Sequence, residues 1–413
     1  MEPRLRAELL NELRESARLT GLDELVDPCD GPLALIDPAG ARERLAELKR
    51  ALPFVRFSVA VAALPHPAIV QALWGEADFS LSSAADLRLL ADAAVPADGA
   101  LFTRPVATST ERARAYAAGA RTFVIDSPSE VDRLLELPKD VRVLVRLATP
   151  RSADPSVYGI APENALHLVR YALSRGVNIS GVSFHLAEAA RSAVVLEAAL
   201  RSALDVIDSV RRVLGVHLDV LDIGGGFAPS AAHRAAELSA QSAIIRRVLA
   251  PRLHSLSVIA EPGRYIASGC AFTLVHVIGH ARHGARQCAY LDEGVFGLFG
   301  GPSSSAGSPA LFGLAEALGA TERLHPTTVV GPSGSGSDII AAEELLPALA
   351  AGDTLVVPHV SGRIHAPDDR IVVVPVSGEA VVAGPNDAQP AIPVGIQGER
   401  DGALRVDVGV RVA

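Results

Sequence analysis

The stretch GALFTRPVATSTERARAYAAGARTFVIDSPSEVDRLLELPKDVRVLVRLA, residues 99–148, decides the fold. Its apolar runs GALFT, RTFVID and VRVLVRLA are rich in β-branched and aromatic residues. Between them, STERARAYAAG and SPSEVDRLLEL carry apolar side chains at helical spacing. Each helical segment opens on Ser or Thr, whose side-chain oxygens satisfy the free N–H groups of a first turn. Strand, helix, strand, helix, strand at this spacing predicts parallel pairing, because two parallel strands need a crossover and cannot be closed by a hairpin.

The same alternation extends outward from about residue 35 to residue 275. Upstream lie VRFSVAVA and ADFSLS, and downstream NISGVSFHL, LDVLDIGGG and LSVIAEPG, with helical segments such as ADLRLLADAA and LEAALRSALDVIDSVRRVLG between. Eight βα units predict an α/β fold, a (β/α)8 TIM barrel over residues 35–275. Beyond it FTLVHVIGHA, QCAYLD, TTVVG, DTLVVPHV, RIVVVPVSG and ALRVDVGVRVA follow one another without long helices. They predict a separate β-rich domain, sandwich- or barrel-like, over residues 276–413, with residues 1–34 packed on it. GGPSSSAGSPALFG reads as an irregular, mobile loop.

Composition removes several function classes. The 413 residues are 49% apolar and 21% charged, and the formal net charge is −9. Basic residues are dispersed, so no patch predicts a nucleic-acid partner. No apolar run reaches the roughly 18 residues that span a bilayer. The opening MEPRLRAELLNELRESARL is a charged amphipathic helix without a signal-peptide core, which predicts a cytoplasmic protein. Cys29, Cys270 and Cys288 have neither disulfide-framework nor zinc-ligand spacing. Of the 38 basic residues only Lys49 and Lys139 are lysines.

In a (β/α)8 barrel the chemistry sits at the C-terminal ends of the strands. There Gly224, Gly225 and Gly226 follow the buried run VLDI, and glycines let backbone N–H groups converge on a phosphate; a tight turn without ligand is the plainer alternative. Glu261 ends SVIA just before the turn PGR, so it stands near Arg264 as a ligand-binding pair or a structural ion pair. His185 closes GVSFH, facing a ligand or buried in the core.

Several strand ends share one pattern. FVRFSVAVAALPHPAIVQAL resembles the first-strand segment of the ornithine, diaminopimelate and arginine decarboxylases, which is close to YAVKANPHPAIL. FVIDSPSEVDRL, GVSFHLAEAA, LDIGGGF, AEPGRYIAS, DEGVFGLF, VVGPSGSGSDII and LPALAAGDTLVV follow in family order, covering about residues 30–375. These are alanine-racemase-like, fold type III pyridoxal phosphate enzymes. The resemblance implies that Gly224–Gly226 hold the cofactor phosphate, that His185 stacks on its ring, and that Glu261, with Arg264 nearby, pairs with the pyridine nitrogen. It also implies a homodimer.

Departures from the family pattern gather at the same places. Its cofactor-holding lysine falls on Ala62 and its asparagine on Leu64. Glu188 stands for a phosphate-binding serine, Arg363 for a phosphate-binding tyrosine, Ser80 for an aspartate, and Gly334 and Ser335 for a Cys-Asp pair. The substrate-binding aspartate has no counterpart in GGPSSSAGS. Covalent cofactor attachment is therefore not expected, and pyridoxal phosphate is left with non-covalent binding.

Three functions follow. One is a biosynthetic enzyme acting on an amino-acid-derived or carboxylate small molecule, with His185, Glu261, Glu188 and Arg363 as acid, base and anion-binding groups. The second is a catalytically inactive regulatory or heterodimer partner of an active decarboxylase paralogue. The third is a conventional decarboxylase using Lys49 or Lys139. A metal site at His359 and His365 or at Asp292 and Glu293 lacks a ligand triad. Ser333, Ser335 and Ser337 lack the setting of a serine nucleophile.

Overall fold

The computed structural model describes the chain except residues 1–5, 8, 12, 14–30, 150–156, 187–191, 228–233, 269, 284–285, 298, 300–308, 359–369, 374–380, 384–391, 394–395, 399–403 and 407–413. Two compact units emerge: residues 42–266, and residues 1–41 together with 267–413. The first described strand, β1 (Leu33–Ile36), belongs to the second unit, and helix α1 (Pro38–Ala51) leads from it into the first.

The first unit is a closed barrel of eight parallel strands. In chain order these are β2 (Val55–Ala60), β3 (Asp78–Leu81), β4 (Leu101–Phe102), β5 (Thr122–Ile125), β6 (Arg142–Arg146), β7 (Ile179–Ser183), β8 (Val220–Asp222) and β9 (Ser257–Ala260). Pairing of β2 with β9, Val55 opposite Val258, closes the ring. All eight expected strands form. Inside, Leu101, Val124, Leu144, Val220 and Ile259 make a buried layer drawn from five strands. Burying each such side chain contributes about 1.5–3 kcal/mol.

The connecting helices are α2 (Pro67–Leu73), α3 (Ala84–Asp92), α4 (Ser109–Ala117), α5 (Pro128–Leu134), α6 (Pro162–Ser174), α7 (Ala193–Leu214) and α8 (Arg234–Leu249). Helix α7 buries Leu196, Ala199, Leu200, Ala203, Val206, Ile207 and Val210, the stripe its spacing predicts. Ser83 and Thr108 start α3 and α4 with full capping boxes, closed by Asp86 and Glu111. On α4, Arg112 is fully buried, and its terminal guanidinium nitrogens pair with Glu130 and with the Pro105 carbonyl at 2.8 Å.

In the second unit, β10 (Ala271–His283) is the organising strand. It pairs antiparallel with β1, with β11 (Arg286–Leu291) and with β15 (Thr354–Pro358), and a bulge between Val277 and Gly279 divides its length. Strand β12 (Phe312–Gly313) adds to β15, while β13 (His325–Val330) runs parallel to β11 and antiparallel to β14 (Ile339–Leu346). On the other side β16 (Arg370–Val373) lies parallel to β1, followed by β17 (Val381–Ala383) and β18 (Ile392–Pro393). The result is a curled, mostly antiparallel sheet. Val275, Leu291, Leu311, Val329, Leu346, Leu355 and Val357 form its core.

Two strands add to those expected from sequence. IIAAEELL forms β14 despite its helix-favouring Ala, Glu and Leu, because pairing with β13 and burial of Leu346 override local propensity. The Gly/Ser/Pro-rich loop ends in strand β12, while residues 300–308 lie outside the described residues. No described helix is long and apolar enough to cross a membrane.

Candidate functional site

Each strand of a parallel barrel delivers its following residues to one rim, so residues distant in sequence meet there. His185 stands two residues beyond β7, Gly224–Gly226 follow β8, and Glu261 follows β9 directly. These expected residues are brought together. The Gly225 N–H lies 3.3 Å from His185 Nδ1, and the Glu261 N–H donates to the Gly224 carbonyl at 2.8 Å.

The glycines are required by space. Gly224 and Gly226 have φ of +64° and +93°, the left-handed region. A Cβ on Gly224 would lie 2.3 Å from the Phe184 carbonyl oxygen, and one on Gly225 would lie 3.0 Å from that of Glu261. Close packing of the turn against Phe184, His185, Leu186 and Glu261 therefore accounts for the three glycines, the plainer of the two expectations.

Ala62 lies exposed in a single 3-10 turn, Val61–Ala63, directly after β2. That turn adjoins the one after Glu261: a Cβ on Gly263 would meet the Cβ atoms of Ala63 and Ala60 at 3.0 and 3.2 Å. Arg264 opens the short helix α9 (Arg264–Ala267) and is half-buried. Ser80, at the end of β3, donates to the Ser58 carbonyl and hydroxyl, both at 3.0 Å, so a neutral hydroxyl pair stands at that end.

Both lysines belong to the opposite rim. Lys49 lies in the last turn of α1, before β2, and pairs with Glu76 at 3.2 Å; Lys139 is exposed in the turn before β6. Residues that precede a strand sit at its N-terminal end.

Two groups of the mouth escape a reading by motif. Asp222, the last residue of β8, is 1% exposed, and its Oδ1 accepts the Gly224 N–H at 2.8 Å. Burial, then the neighbouring Glu261 carboxylate, push its carboxyl well above the usual range, against the pull of the Gly224 N–H and Arg146. Arg146 ends β6 and lies over the Tyr158 ring, 5.6 Å from its centroid. A polar residue closing an apolar strand run was the available signal for both.

Glu188 and Arg363 lie outside the described residues, as do His359 and His365. Gly334 and Ser335 sit in an exposed turn of the second unit, where Ser335 Oγ meets Ser337 Oγ at 2.7 Å. Asp292 is committed to His276, accepting from its backbone N–H and facing its Nδ1, both at 2.8 Å. Among the described residues no group of three His, Cys, Asp or Glu is placed to hold a metal ion.

The family model for the pyridoxal-dependent decarboxylases, pyridoxal binding domain, matches residues 39–268, more than half of the chain. The chain belongs to this family. Its pyridoxal binding domain spans the whole barrel, mouth included. The lysine/ornithine decarboxylase of Selenomonas ruminantium is 29% identical over 319 residues, 76% of this chain and 80% of that protein. Antizyme inhibitor 1 of Pongo abelii is 27% identical over 70% of this chain and 68% of its own length. Among solved structures, the lysine/ornithine decarboxylase of Vibrio vulnificus complexed with cadaverine superposes with a TM-score of 0.76 at 30% identity. That match covers 84% of this chain and 93% of the other.

Proposed function

We propose that this decarboxylase-family protein is a biosynthetic enzyme that uses its barrel mouth without covalent attachment of pyridoxal phosphate, acting on an amino-acid-derived or carboxylate substrate. The observation that carries the reading is the placement of amines: Ala62 stands in the mouth, while Lys49 and Lys139 stand at the opposite rim. A side chain ending at Cβ supplies neither the nucleophile nor the base that a lysine provides.

The rest of the mouth fits the cofactor non-covalently. Gly224–Gly226 would hold the phosphate, Glu261 the ring nitrogen, and His185, beside the glycine turn, the ring. When bound there, pyridoxal phosphate supplies an electron sink for the bonds of an attached amino acid. Glu261 would hold a proton at the ring nitrogen, His185 would orient the ring, and Arg146 would offer a cation to a carboxylate ligand. Glu188 and Arg363 complete the proposed acid, base and anion-binding set.

Titration of the purified protein with pyridoxal phosphate, followed by absorbance and by gel filtration of the same sample, tests this. We expect saturable binding to a homodimer, weakened at least tenfold by Glu261→Gln, without the absorbance of a lysine-linked cofactor. Appearance of that absorbance, or the same affinity in Glu261→Gln, would overturn the assignment.

Similarity to antizyme inhibitor 1 favours a second reading, a non-catalytic partner of an active paralogue. Co-purification with such a paralogue, together with no turnover of any amino acid by the isolated chain, would select it.

A further inference from the structure

Asp222 has a chemical problem that the described contacts do not solve. It is buried at the end of β8, its Oδ1 takes the Gly224 N–H, and its Oδ2 finds no hydrogen-bond donor among the described residues. Ser183, its register partner on β7, is also buried, and its hydroxyl likewise finds no hydrogen-bond partner among the described residues. Asp222 pairs in register with Ile259, two residues before Glu261 on the neighbouring strand, the Glu261 N–H bonds the carbonyl of the same Gly224 whose N–H Asp222 accepts, and the Glu261 carboxylate charge acts on Asp222. Two carboxylates can only accept, so contact between them in a buried place is repulsive unless one carries a proton.

We propose that Asp222 and Glu261 share one proton, with Asp222 the positioning residue that holds it and donates to Glu261 from beneath. The dyad then presents a single negative charge to the barrel mouth. A ligand with one protonated nitrogen is matched there, whereas a dication or a second anion is not.

The charged surroundings favour this arrangement. Arg146 on β6 approaches Asp222 closely enough to offset part of the pair's negative charge. His185, beyond β7, lies against the far side of the glycine turn, with its Nδ1 engaged by the Gly225 N–H. The raised proton affinity of Asp222 has burial and the Glu261 charge as its two largest causes. The match to a ring nitrogen rests on the proposed cofactor reading. The shared proton does not, so it is tested on the unliganded protein.

The sign of the pH effect follows from the direction of the shift. The folded state binds the Asp222 proton more tightly than the unfolded chain, so this group's contribution to stability falls as pH rises from the unfolded carboxylate range toward the raised value. Asp222→Asn keeps an acceptor for Gly224 and a donor for Glu261 but has no proton to lose. Thermal and denaturant melts of both proteins between about pH 5 and pH 8 should show wild type losing ground to the variant, by up to about tenfold in folding constant per pH unit. Glu261→Gln removes one of the two largest causes and should reduce the wild-type slope without abolishing it. Infrared spectra supply a second readout if either variant folds poorly: wild type should keep the carbonyl band of a protonated buried carboxyl at neutral pH, Asp222→Asn should lose it, and Glu261→Gln should show it fading at lower pH than wild type. Equal slopes in all three proteins, or no such band in wild type, would overturn the proposal.

Discussion

On the proposed reading, Ala62 stands where the mouth would need an amine to attach the cofactor. Installing an amine by Ala62→Lys is expected to create covalent cofactor attachment, read as the appearance of the lysine-linked absorbance after addition of pyridoxal phosphate. Gly224→Ala should act in the opposite direction. Its Cβ would lie 2.3 Å from the Phe184 carbonyl at a φ of +64°, so a loss of about 1–3 kcal/mol in stability is expected by denaturant melting, together with loss of cofactor affinity. His185, the glycines and Glu261 were legible because polar or glycine residues immediately after a β-branched run stand out. Asp222 and Arg146 carry only the weaker signal of a polar residue closing a strand, and their roles depend on neighbours far away in sequence.

The barrel strands were legible as elements because helix period and strand period alternate without interruption and the helix starts are chemically marked. Thr108 and Glu111 show the strength of such a mark. Hydrogen bonds from the Thr108 backbone, from Arg104 and from the Thr108 hydroxyl lower the Glu111 carboxyl to about 2. A depressed carboxylate stabilises the fold above its unfolded value and loses that contribution as pH falls toward about 2. Replacing Thr108 by Ala should cost about 1 kcal/mol in a denaturant melt at neutral pH and reduce the acid sensitivity of α4. Strand β14 was illegible for the converse reason: Ala, Glu and Leu carry no strand signal, and its partner β13 supplies the hydrogen bonds that decide its state.

At the scale of the molecule, the two-part organisation was legible from the change in texture near residue 275, while the joining of β1 to β10 and β16 was not, because both pairings are long-range. The second unit is also tied together by a buried charge. Arg6 Nη2 reaches Glu316 Oε2 at 2.6 Å, its Nη1 reaches the Leu311 carbonyl at 3.0 Å, and its guanidinium lies 4.6 Å from the Phe312 ring centroid. Arg6→Met leaves Glu316 and Glu344 buried with the nearby cation removed and should destabilise this unit by about 3–5 kcal/mol, read as a denaturation transition shifted to lower denaturant.

The proposed mouth holds pyridoxal phosphate without covalent attachment, and the most direct test is to saturate the protein with the cofactor, treat it with borohydride and measure the intact mass alongside Ala62→Lys. An unchanged mass is expected for wild type, and one cofactor added to the variant. A stoichiometric adduct on wild-type Lys49 or Lys139 would contradict it.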